Sequence, residues 1–168
     1  MAGITGKIAG VGSDIVEYLR AVGEHYRITI RVTSGKRSPE QQAGAMFDNW
    51  IKLKRGGVYN NRTLSLNDRK SLNDSYKTAK EDDSASDESQ EEAETNFKQL
   101  AAAKVGKKTK HASGRAVDVA QNGISDKVYA AITLYMDEVD EKRRDIYHFE
   151  SVAKVPEVTE EIKARWPT

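Results

Sequence analysis

Apolar positions along the chain change period several times, and each change marks an element. Ile15, Leu19, Val22 and Tyr26 fall at i, i+4, i+7 and i+11, one face of a helix that Ser13 or Asp14 can cap. From Arg27 to Ser34 the spacing shortens: Ile28, Ile30 and Val32 alternate with Arg27, Thr29, Arg31 and Thr33, which predicts a half-buried strand. Gly35 permits a sharp turn. Ser38-Pro39-Glu40-Gln41 then supplies an N-cap Ser, a Pro in the first helical position and a Gln at the capping-box position. The helix it opens carries Ala43, Met46, Phe47, Trp50 and Ile51 on one face and stops at Gly56-Gly57.

From about 58 to 95 the chain turns polar. Of the fourteen residues 81–94, eight are acidic and none is large and apolar, so burial cannot offset the entropy of ordering them, and an inserted loop or mobile lid is expected. Phe97, Leu100 and the Ala-rich run to Val105 suggest a short helix. Arg115 to Ala120 alternates again: Val117 and Val119 share one face, while Ala116, Asp118 and Ala120 share the other, where small neighbours leave room for a cleft above a carboxylate. Ile124 and Ser125 staple and cap a helix running through Val128, Ile132, Tyr135, Met136 and Val139. Asp145 to Ser151 is a last strand, and Pro156 can open a short C-terminal helix. No internal repeat is evident.

A chain of 168 residues is the size of one domain and buries about two-thirds of its unfolded surface. Mean hydropathy of −0.71 fits a segment that builds no core, the polar insertion at about 58–95. Lys plus Arg number 27 against 26 Asp plus Glu, which gives no global reason to expect nucleic acid or an anionic membrane as partner. The group Lys104, Lys107, Lys108, Lys110 and Arg115 reads as a solvated face, since no aromatic stacking pattern accompanies it. No run approaches the roughly 18 apolar residues of a membrane helix, and the N-terminus is too weak for a signal peptide. A monomer without membrane insertion is expected.

Without Cys, any metal must be held by His and carboxylates. His25, at a helix end, is most simply structural. His111 and His148 lie in or beside strand-like segments with carboxylates near them, and with Asp118 they can supply the three protein ligands of a catalytic zinc site. Taken singly, each is more often an ordinary hydrogen-bonding residue; together they point to a metal.

Three separated blocks resemble the D-alanyl-D-alanine carboxypeptidase and dipeptidase family, zinc peptidases of bacterial cell-wall metabolism that include phage L-alanyl-D-glutamate endolysins. The family's Ser-x-His-x-x-Gly-x-Ala-x-Asp is matched by Thr109 to Asp118, with Thr in place of the leading Ser. Its Ser-Gly-x-Arg-Ser block, often followed by Gln, is matched by Ser34-Gly35-Lys36-Arg37-Ser38 and Gln41. Its acidic-x-aromatic-His block is matched by Asp145-Ile146-Tyr147-His148, where many members have Glu and Trp. The resemblance covers most of the chain apart from the acidic insertion.

The resemblance implies His111, Asp118 and His148 as zinc ligands, Asp145 as general base and Arg37 as the group that stabilises the scissile carbonyl. Ser34 and Ser113 can bond substrate, or equally serve turns and caps. Glu150 is the alternative base, or a partner to a metal-bound His. By strict alternation Asp145 and His148 point to opposite faces, so a bend or the strand's start at Asp145 has to bring both toward the metal. The expected fold is α+β: one domain over 1–168, with a small, mainly antiparallel sheet, helices on one face and a zinc cleft on the other. The expected reaction is hydrolysis of a peptidoglycan stem peptide at a bond involving a D-amino acid, as carboxypeptidase or endopeptidase. The rival is a non-catalytic zinc-containing wall-binding or interaction module of the kind hedgehog-type relatives form; the acid kept at 145 favours the enzyme. Action on the cell wall then implies leaderless export, through a holin or a secretion machine, or a cytoplasmic stage.

Overall fold

The computed structural model describes residues 2–52, 67, 70, 71, 74, 87–103, 109–139 and 145–168. Among these, β1 (Gly3–Gly6), α1 (Ser13–His25), β2 (Thr29–Ser34), α2 (Pro39–Lys52), α3 (Asp87–Ala101), β3 (Ala116–Ala120), α4 (Asp126–Thr133), β4 (Asp137–Glu138), β5 (Ile146–Glu150) and α5 (Glu160–Lys163) follow one another. They fall into two compact units, Met1–Lys36 with Ser113–Thr168, and Arg37–Ala112. The expected Gly56-Gly57 stop, much of the polar insertion, and Lys104, Lys107 and Lys108 lie outside the described residues.

The first unit holds a five-stranded sheet in the order β1-β2-β3-β5-β4. β1 and β2 run parallel, joined through α1; the other three pairings are antiparallel, so the class is α+β, as the alternation implied. Ile30 and Val32 of β2, Val117 and Val119 of β3, and Phe149 of β5 share one buried cluster with Ile15, Tyr18, Leu19 and Val22 of α1 and Val128, Ala131 and Ile132 of α4. Tyr18 is fully buried because both roles of its hydroxyl are met: it donates to the Ala131 carbonyl at 2.6 Å and accepts from Trp166 Nε1 at 3.1 Å.

α1 begins differently from expectation. Gly12 is its N-cap and no side chain caps it. Asp14 is drawn instead to Arg115 Nη1, 2.7 Å from both carboxylate oxygens, and to the Val155 N–H at 2.8 Å. Arg115 also donates to Ser151 Oγ and to the Ala153 carbonyl. Although its sequence neighbours suggest a solvated basic face, Arg115 is a half-buried clasp between the start of α1, the entry to β3 and the segment after β5. Burial alone raises the Asp14 carboxyl, but the bonds from Arg115 and Val155 outweigh it and hold the group below its ordinary value.

Two glycines of the sequence blocks are required by close approach. At Gly35 a Cβ would collide with the Lys7 carbonyl oxygen and with Val11; at Gly114, which sits at φ +72°, it would overlap the Gly10 carbonyl oxygen. The loop between β1 and α1 therefore lies against both blocks, and Gly12 N–H donates to the Gly114 carbonyl at 2.9 Å.

In the second unit the capping box forms as expected: Gln41 N–H donates to Ser38 Oγ at 3.2 Å, and Ser38 N–H to Gln41 Oε1 at 2.9 Å. The acidic stretch departs from expectation, since residues 87–94 belong to α3. The C-terminal half of the helix anchors it: Phe97 and Ala101 are buried, with the Phe97 ring 5.3 Å from that of Phe47, and Ala43 is buried on α2.

Other boundaries also shift. α4 has its Ser125 cap but ends at Thr133, short of Tyr135, Met136 and Val139, because Asp137 and Glu138 pair with Glu150 and Phe149 as an edge strand. The C-terminal helix starts at a Thr159 cap, beyond Pro156. No described helix is long and apolar enough to cross a membrane.

Candidate metal centre

The β3–β5 ladder sets the site. Asp118 stands directly opposite His148, and Ala116 opposite Glu150, so these positions share the sheet face opposite to that of Val117, Val119 and Phe149. His148 Nδ1 lies 2.7 Å from Asp118 Oδ1, and its Nε2 lies 3.1 Å from Glu150 Oε1. His111 sits in the turn Thr109–Gly114 that runs unbroken into β3. His111, Asp118 and His148 each offer one ligand atom, and these atoms all lie within 4.8 Å of one another.

All three residues are buried, at 4%, 2% and 5% exposure respectively. Two imidazoles and a carboxylate taken from water are costly unless charge and hydrogen bonds compensate them. Nitrogen and oxygen donors of this kind are what Zn²⁺ takes at catalytic centres, where three protein ligands leave one position open. The donor set therefore fits a metal ion.

The remaining candidates fall in both units. Arg37 belongs to the second unit, where its N–H donates to the His111 carbonyl at 3.3 Å and its Nη1 donates to Gln42 Oε1 at 3.2 Å. Gln42 thus holds the guanidinium, while Gln41, the residue of the sequence block, serves the capping box. Ser34 stands opposite Asp118 after a register shift between Val32 and Ser34, and Thr33 Oγ1 donates to the Asp118 carbonyl at 3.2 Å. Irregularities of this kind re-aim a strand next to a site. Ser113 is exposed in the turn after His111.

Asp145 is exposed and occupies a bend just before β5, with its carbonyl accepting from Gln121 N–H at 3.1 Å. The contact between Glu150 and His148 is the one the sequence left as an alternative, and its signal was available: residues i and i+2 of a strand share a face. Arg115 gave no local signal, because its partner Asp14 lies 101 residues away. No protein-family model, curated protein or solved structure matches the chain.

Proposed function

We propose that the chain is a zinc peptidase that hydrolyses peptidoglycan stem peptides at a bond involving a D-amino acid. The observation that carries the reading is the buried His111, Asp118 and His148 group, which coincides with the ligand positions implied by two of the sequence blocks. Bound there, zinc supplies Lewis acidity toward a carbonyl and acidifies water.

The chain's own residues supply the rest. Asp145, solvent-exposed ahead of β5, takes a proton from the attacking water and returns it to the leaving amine. Arg37 directs charge-assisted hydrogen bonds at the carbonyl oxygen as negative charge develops on it. Its backbone bond to His111 and side-chain bond to Gln42 support that role, since they order the arginine at both ends. Ser34, opposite Asp118, and exposed Ser113 are the candidate hydrogen-bonding groups for the peptide. The bacterial cell wall is the place of action this reading implies.

Digestion of defined muropeptides, with mass spectrometry of the products, tests it. New fragments that require zinc are expected, and their masses name the bond and separate carboxypeptidase from endopeptidase action. A chain that binds zinc yet leaves every wall peptide intact would instead be a non-catalytic binding module.

A further inference from the structure

The contact between His148 and Glu150 carries an inference that rests on the proposed reading in taking His148 as a metal ligand. His148 lies between two carboxylates, Asp118 at Nδ1 and Glu150 at Nε2, and the two are not equivalent. The Asp118 side chain is 3% exposed and belongs to the candidate ligand group; that of Glu150 is 27% exposed and stands outside the group. A neutral imidazole that gives a metal the lone pair of one nitrogen must carry its proton on the other.

We propose that Glu150 is a positioning residue that accepts the Nε2 proton of His148 and thereby turns the Nδ1 lone pair toward Asp118 and the metal. Strand geometry explains why Glu serves here. Positions i and i+2 of a strand lie about 6.8 Å apart on one face, so the acid must lean back along β5 to reach the ring. The longer side chain spans that gap and reaches Nε2 at 3.1 Å. This assignment differs from the base role in what it demands of the group. A base must lose and regain a proton, whereas a positioning acceptor needs only an oxygen in place, which Gln also offers.

The test measures zinc affinity by competition with a chromophoric chelator for the parent, Glu150→Gln and Glu150→Ala, and records nitrogen-15 NMR of the His148 ring with and without zinc. Glu150→Ala should weaken zinc by about 10- to 100-fold, the usual scale for losing such a partner, while Glu150→Gln stays within about threefold of the parent. In the parent the ring should keep its proton on Nε2 and present Nδ1 to zinc. A proton on Nδ1 of the zinc-loaded protein, or Glu150→Ala binding zinc as tightly as the parent, overturns the assignment. A parent that binds no zinc contradicts the metal reading instead, and the zinc-free spectrum then decides the rest: a proton absent from Nε2 overturns the role of Glu150.

Discussion

His148 Nδ1 and Asp118 Oδ1 lie 2.7 Å apart across a directly opposed pair of β3 and β5. Strand register alone sets this approach, so the elements that fix the register also fix the site. Val117, Val119 and Phe149 hold the other face of the same two strands in the core, and a slip of one residue in either strand would turn its polar group into that core.

The turn that enters β3 is one of those elements. Gly114 is left-handed and closely approached by the Gly10 carbonyl, so Gly114→Ala combines backbone strain with a collision. A loss of about 1–3 kcal/mol is expected from the backbone term alone. Urea unfolding measures it, and an unchanged midpoint would mean that the loop between β1 and α1 yields without cost.

Much of this is legible in the sequence, and for physical reasons. The alternation over Arg115 to Ala120 places Asp118 opposite to the core-facing valines, and the capping box at Ser38 and Gln41 forms as its residues require. Short-range pattern fails where distant partners decide. β1, a Gly-rich segment of four residues, is a strand because β2 lies beside it. Residues 87–94 read as coreless because they carry no apolar anchor of their own; the helix expected from Phe97 extends back over them, and the burial of Phe97 and Ala101 that holds it is a tertiary fact. Arg115 looks like one more surface cation until Asp14 stands against it. The His and Asp of the centre are nameable from spacing and the absence of Cys, but their burial is not.

The Asp14 clasp predicts a pH dependence of stability. In the folded chain the Asp14 carboxyl is held below its ordinary value by Arg115 and the Val155 N–H, against the pull of burial. A depressed carboxyl stabilises fully above its unfolded-state value, and that contribution is lost as pH falls through the folded-state value. Asp14→Asn should therefore cost about 2 kcal/mol at neutral pH, on the scale of hydrogen bonds to charged groups. The gap from the parent should narrow in acid. Unfolding midpoints at neutral and strongly acid pH check this, and a gap that widens in acid would contradict it.

Phe97 anchors α3 in the second unit. Phe97→Ala removes a fully buried ring lying 5.3 Å from that of Phe47 and should cost that unit about 3–5 kcal/mol. Replacing the exposed acids Glu91 and Glu92 with Gln should change stability by less than about 0.5 kcal/mol. Hydrogen exchange across 87–101 reads both. Rapid exchange in the parent would return the segment to the unstructured insertion that its composition suggests.

Asp145→Asn separates chemistry from architecture. The two side chains are nearly isosteric and the position is exposed, so zinc content and thermal stability should be unchanged while muropeptide cleavage falls by about 100-fold or more. Cleavage at the parent rate by Asp145→Asn, together with loss of cleavage in Glu150→Gln, would transfer the base role to Glu150 and contradict its assignment as a positioning residue.

His111, Asp118 and His148 together should hold one metal ion. Elemental analysis of the purified chain and of its Asp118→Ala and His148→Ala variants, with a folding control, measures this. Close to one zinc per parent chain is expected, and less than about a tenth of that in either variant, with circular dichroism showing that the sheet persists. Zinc bound undiminished by both variants, or none bound by the folded parent, would contradict it.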